Sequence, residues 1–122
     1  MSTSVSEPTS KYVIGYVTIS SSEVAEELST KLVESSLVAC VNIIPTIQSI
    51  YRWQGKVEND RESLMIIKTQ ANRMDDVIKF VKSNHPYSVP EVIFTPIVAG
   101  NPDYLKWVAD SMVCETDDHK CK

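Results

Sequence analysis

The segment His85-Pro86-Tyr87-Ser88-Val89-Pro90-Glu91 brings an imidazole, a phenol and a carboxylate into seven residues. Its two prolines restrict the backbone, so the groups sit on a stiff turn. A neutral imidazole and a carboxylate both ligate divalent cations. Two ligands fall short of the four that a closed structural zinc site needs. A metal site here is therefore open, weak or shared between subunits. The same side chains also have a plainer use, with His85 capping the preceding helix through a carbonyl and Glu91 paired with a base. The residues alone leave both readings open.

Other donors are scattered. Cys114, His119 and Cys121 lie within eight residues near the C-terminus, among acids. Once ordered they can chelate a soft cation; otherwise they form a polar extension. Cys40 lies in an apolar strand pattern, where a free thiol behaves as a small hydrophobe. Tyr51, Trp53 and Tyr87 either pack a hairpin, take cover from a neighbouring chain, or line a ligand cleft with their rings. Arg52, Lys56, Glu58, Arg61 and Glu62 read as solvated or paired across that hairpin.

Enzymatic signatures are missing. The chain has no GxSxG, P-loop or GxGxxG, and only three glycines. His85 and His119 are its only histidines, and Cys40 is the only thiol outside the tail. An apolar strand is a poor setting for a nucleophile, so the expectation is a non-enzymatic protein.

Twelve Lys and Arg against sixteen Asp and Glu leave a net charge of −4. That opposes a nucleic-acid partner, which calls for a basic face. No run of about eighteen apolar residues exists, so no membrane span is expected. The opening MSTSVSEPTS has neither the basic nor the apolar region of a secretory signal. An odd cysteine count without a CxxC pair fits a reducing compartment, and the expected location is cytoplasmic. One domain over residues 11–113 is expected, between a flexible lead-in at 1–10 and a flexible tail at 114–122.

The elements that must position these groups follow from periodicity. Lys11 to Ser20 is β-branched and aromatic and reads as a strand. Ser20 and Glu23 have capping-box spacing, and Val24, Leu28 and Leu32 then define a helical face ending near Ser35-Ser36. A second strand begins at Leu37, with an edge or bulge at Pro45. Gln54-Gly55 offers a turn, Asn59-Asp60 a polar break, and Ser63 to Thr69 a third strand. A second helix opens at Ala71 or Asn72, with Asn72 able to cap it, and stops at Pro86. Val92 to Ala99 is a fourth strand. Asn101-Pro102-Asp103 starts a third helix with proline at its first position.

The order β-α-β-β-α-β-α reads as an α+β, ferredoxin-like split βαβ sandwich with an extended hairpin and a C-terminal helix. The strands are too apolar for the second sheet face to meet water, so helix three, a second subunit or both should cover it. The hairpin raises the same issue. Fourteen residues from Cys40 to Trp53 span roughly 46 Å when extended. A compact chain of this length is only about 35 Å across. The arm either bends at Pro45 or is covered by another subunit.

Several spaced blocks resemble one family. They are Ala39-Cys40-Val41-Asn42, the run from Tyr51 to Glu58, Ile67-Lys68-Thr69, His85-Pro86-Tyr87 with Pro90-Glu91, and Tyr104-Leu105-Lys106-Trp107. Together they resemble the CutA divalent-cation-tolerance family, from about Val13 to Val108. The resemblance implies a ferredoxin-like homotrimer whose arms reach neighbouring subunits, and association with tolerance of copper and other divalent ions. It also implies two alternatives: an effector sensor like the PII signalling proteins, or an assembly module of the acetylcholinesterase-anchoring type. By motif, the implied copper positions are Cys40, His85 and Glu91, with Tyr51, Trp53, Lys68 and Tyr87 near the cleft. The chain departs at Thr18-Ile19-Ser20, where many relatives carry cysteine-proline, and at Asn84, where some carry a second histidine. Those departures leave His85 and Glu91 as a weak site at a subunit boundary.

Overall fold

Eight residues of alternating burial, Tyr12–Ile19, form strand β1, and its pairing partners set the rest of the architecture. A computed structural model describes residues 10–113. The expectations for Cys114, His119, Cys121 and the rest of the tail, and for residues 1–9, lie outside that range. The remaining elements are α1 Ser22–Glu34, β2 Cys40–Trp53, β3 Lys56–Gln70, a 3-10 turn Ala71–Arg73, α2 Met74–Asn84, β4 Val92–Pro96 and α3 Pro102–Ser111. The four strands make one sheet in the order β2-β3-β1-β4, with every pair antiparallel.

Side-chain parity divides the sheet into two faces. Val17 and Ile19 of β1 and Met65 and Ile67 of β3 are fully buried. They pack with Ala25, Leu28 and Leu32 of α1 and with Val77 and Val81 of α2. Burying each large aliphatic side chain contributes about 1.5–3 kcal/mol. Both helices therefore cover one face. The other face carries Ile14 and Tyr16, Leu64 and Ile66, Ile44, and Ile93, all half-buried or exposed. Helix α3 covers only its own corner, where Val108 and Met112 pack with Ala39 and Tyr12. The expectation of an apolar second face holds among the described residues, and α3 leaves most of it open.

The hairpin is long, as its length predicted. Gln54 and Gly55 take φ of 51° and 82°, the pair of positive values that a type I′ turn requires. The pairing shifts register between Ile44 and Ile47, so Pro45 and Thr46 face Ser63 alone. This bulge is the expected place for a residue without an N–H. The Ser63 hydroxyl donates to the Pro45 carbonyl at 2.6 Å and satisfies it.

Local details correct the sequence reading in several places. Asn59 and Asp60 do not break the arm, because they pair with Ile50 and Ser49 inside one continuous strand. Helix α1 is capped by Ser21, whose hydroxyl accepts from the Val24 amide at 3.3 Å, and not by Ser20. Asn72 caps nothing. It lies in the 3-10 turn, and α2 starts without a side-chain cap. Strand β2 begins at Cys40, since Ser36 (φ 62°) ends α1 by turning back so that the Leu37 amide reaches the Leu32 carbonyl. Strand β4 ends at Pro96, where the missing N–H interrupts the ladder. Ser10 is tied to the domain rather than to the lead-in, with its hydroxyl 2.7 Å from the Tyr12 and Ile97 carbonyl oxygens. Helix α3 starts as expected, with Asn101 accepting from the Asp103 amide at 2.9 Å and Pro102 at the first position.

Candidate ligand cleft

Strand β1 stops at Ile19, opposite Ser63. Beyond that point β3 runs on toward the hairpin turn with β2 on one side and no strand on the other. The connection between α2 and β4 folds beside this stretch. It carries both sequence-singled prolines, Pro86 and Pro90, and the groups between them.

His85 fixes this connection at both ring nitrogens. Its Nδ1 accepts from the Tyr87 amide at 3.0 Å, which leaves the proton on Nε2. Nε2 then donates to the Thr18 carbonyl at 2.8 Å. The Tyr87 ring lies edge-on to the imidazole, with centroids 4.6 Å apart. His85 therefore binds β1 and does not cap α2. That role falls to Asn84, whose amide donates to the Phe80 carbonyl at 2.8 Å. Glu91 joins through the same threonine, its Oε1 accepting from the Thr18 hydroxyl at 3.5 Å. Thr18 thus holds His85 through its carbonyl and Glu91 through its side chain. Among the described residues Glu91 has no basic partner: the one ion pair there is the exposed Lys106–Asp110, a kind that adds little stability.

The hairpin forms the opposite wall. Pairing places Ile47, Ser49, Tyr51 and Trp53 on the same face as Glu62, Asp60, Glu58 and Lys56. The Tyr51 hydroxyl donates to Asp60, and the Tyr87 hydroxyl donates to Glu62 Oε1 at 2.9 Å. Holding its proton against the Asp60 carboxylate pushes the Tyr51 phenol up to about 12. Burial pushes the Tyr87 phenol up further, helped by its bond to Glu62. Both phenols are therefore neutral donors at neutral pH.

Between these walls lies a cleft of about 700 Å³, lined by Thr18, Ser49, Ile50, Tyr51, Trp53, Asp60, Glu62, Tyr87, Ser88, Val89 and Glu91. Among the described residues, no lysine or arginine lines it. The structure thus brings together Tyr51, Trp53, Tyr87 and Glu91, with His85 behind Tyr87 as its anchor. Cys40 and Lys68 sit elsewhere. They face each other across β2 and β3, with the Lys68 ammonium donating to Asn42, and neither lines the cleft. Cys40 is a free, half-buried thiol. Burial, and then the nearby Cys40, push the Tyr104 phenol upward.

Asp60 and Glu62 were missed as cleft residues by sequence reasoning. The signal was available in the parity of positions 58, 60 and 62, opposite Tyr51 and its neighbours. Reading Asn59-Asp60 as a break concealed it. Among the described residues, no three His, Cys, Asp or Glu side chains converge as a metal-ligand set. The donor set suits a hard or borderline cation held through few direct contacts.

Comparison with known proteins adds a family. Residues 13–111 match the family described as CutA1 divalent ion tolerance protein. The chain is 52% identical over 95 residues to "Protein CutA homolog" of Xenopus laevis, covering 78% of this chain and 63% of that protein. It is 45% identical over 95 residues to "Divalent-cation tolerance protein CutA" of Thermus thermophilus, covering 78% of this chain and 92% of that one. The crystal structure of CutA1 from Oryza sativa superposes with a TM-score of 0.82 at 44% identity, over 88% of this chain and 98% of that one. Against the Xenopus protein, this chain spans somewhat less than two thirds of the relative's length.

Proposed function

Because the chain belongs to the CutA1 divalent ion tolerance protein family, we propose that it is a non-enzymatic homotrimer serving divalent-metal tolerance, which binds copper weakly at its subunit boundaries. The observation that carries this reading is the sign of the cleft. Asp60, Glu62 and Glu91 line it, and among the described residues no basic side chain does. Such a lining concentrates cations and repels anions. Glu91 is the direct ligand this reading favours, with Asp60 and Glu62 as neighbours whose phenol bonds orient them. His85 enters the coordination sphere only by exchanging its bond to Thr18; otherwise it positions Glu91 and Tyr87.

The trimer is supported by two features, the apolar sheet face left open by the helices and a hairpin that outreaches its own domain. The strand order β2-β3-β1-β4, with two βαβ units, supports the ferredoxin-like reading of the fold. A free Cys40 fits a reducing compartment such as the cytoplasm. The acidic lining speaks against a PII-like sensor of anions, since Lys68 lies outside the cleft. An assembly module would use the open sheet face and need no cleft.

Native mass spectrometry with and without copper tests this reading, because it reports subunit count and metal stoichiometry together. A trimer that retains copper is expected, with retention reduced in Glu91→Gln. A species that retains none at micromolar copper overturns the metal reading. Equal copper affinity in His85→Ala and the parent assigns His85 to positioning alone.

A further inference from the structure

The cleft holds more than a metal ion needs. Its volume of about 700 Å³ is roughly twentyfold the share of one water molecule in the liquid. Three aromatic rings line it, and in a single chain two of them are partly open: Trp53 is 47% exposed and Tyr51 is 41% exposed. Tyr51 and Tyr87 direct their hydroxyls at Asp60 and Glu62. Their protons are committed to those carboxylates, while the carboxylates keep their remaining lone pairs. A bare divalent ion would use the acids and leave both the rings and the space idle. An anion would be repelled by Asp60, Glu62 and Glu91, and an uncharged apolar ligand would strand those charges beside it.

We propose that the cleft is a binding site for organic ammonium ions, with the cationic head set against the faces of Trp53 and Tyr51 and its charge balanced by Asp60, Glu62 and Glu91. An aromatic wall attracts an alkylated ammonium through the ring quadrupole and through contact with its methyl groups. The carboxylates supply long-range attraction without demanding a fixed coordination number. Tyr87 closes the far side, held by His85 and Glu62. This rests on the same cation-selective lining as the metal reading. It differs in making the rings, and Trp53 above all, part of the recognition.

Isothermal titration of the full chain with tetramethylammonium chloride, in parallel with a copper titration, tests it. Saturable binding is expected for tetramethylammonium, weakened about tenfold by Trp53→Leu and largely kept by Trp53→Phe. Copper affinity is expected to stay the same in both variants, which also reports that they fold. Sodium at matched ionic strength should weaken the binding but not abolish it. Unchanged binding in Trp53→Leu, a phenylalanine variant as weak as the leucine one, or full displacement by sodium overturns the inference. Copper bound without tetramethylammonium overturns it and leaves the metal reading standing. Tetramethylammonium bound without copper supports it and overturns only the metal reading.

Discussion

The Tyr87 hydroxyl donates to Glu62 Oε1 at 2.9 Å and so joins the loop after α2 to the hairpin, across 25 residues of sequence. This single bond ties the two walls of the cleft to each other. The same tyrosine is held from behind, its amide donating to His85 Nδ1. The cleft therefore keeps its shape through a chain of contacts running from Thr18 to His85, to Tyr87 and on to Glu62. Each link is polar and partly buried, so removing one leaves its partner short of a hydrogen bond.

His85→Ala breaks that chain at its centre. The Tyr87 amide and the Thr18 carbonyl both lose their partner. A loss of about 1–3 kcal/mol in unfolding free energy is expected, read from urea denaturation. Tyr87→Phe removes only the Glu62 bond and should cost about 1 kcal/mol. Equal stabilities of His85→Ala and the parent would mean that the imidazole does not hold the loop.

The Tyr51 phenol gives a pH signature. Its bond to Asp60 raises it from the ordinary 10 to about 12. A group whose proton is held more tightly in the folded state stabilises fully below its unfolded pKa. That contribution fades as pH climbs from 10 through 12. Alkaline titration of phenolate absorbance should therefore show a late-titrating tyrosine that vanishes in Tyr51→Phe. If Tyr51→Phe leaves the late part of the titration unchanged, the Asp60 bond is absent in solution.

Gly15 lies opposite Phe94 in the pairing of β1 with β4. A Cβ placed on it would stand 2.7 Å from Phe94 Cε1 and 2.9 Å from Cδ1. The ring packs against the buried core and cannot swing away freely. Gly15→Ala should thus destabilise by about 1–3 kcal/mol through overpacking. Adding Phe94→Leu should recover part of the loss, which a double-mutant cycle by thermal unfolding would read as coupling.

Gln54 offers the opposite case. It holds a φ of 51° beside Gly55 at 82°. Asparagine tolerates this left-handed conformation better than glutamine, and Asn-Gly is the favoured pair for this turn. Gln54→Asn should raise stability by up to about 1 kcal/mol. A lowered melting temperature would show that Gln54 makes contacts worth more than the relief of strain.

The sequence made much of this legible, for identifiable reasons. The helical spacing of Val24, Leu28 and Leu32 and the alternation through β1 and the second half of β3 reveal α1 and these strands, though not their exact ends. Pro45 and Gly55 mark the bulge and the turn because each has a backbone property that few residues share. The cleft was harder to read. Tyr51, Trp53, Tyr87 and Glu91 stood out by type, but their meeting depends on where β1 ends relative to β3, a register that no local pattern encodes. Asp60 and Glu62 look like ordinary solvated acids until the strand pairing turns them toward the rings. Lys68 looked like a cleft cation because of its motif, yet its parity sets it on the open sheet face beside Asn42.

That open face carries the last prediction. Ile66 lies there between Tyr16 of β1 and Asn42 of β2, on the side away from α1 and α2. In a lone chain it is only half-buried, so a lysine at this position can reach water and leave the core of Met65 and Ile67 intact. In the proposed trimer the same lysine would place a charge inside an apolar contact, where an unpaired charge is costly. Ile66→Lys should accordingly keep its secondary structure by circular dichroism while its sedimentation falls from three times 13.7 kDa to a single chain of 13.7 kDa. A parent protein that already sediments as one chain at micromolar concentration would overturn the trimer. An Ile66→Lys protein that stays assembled would show that the subunits meet elsewhere, with the hairpin the next surface to test.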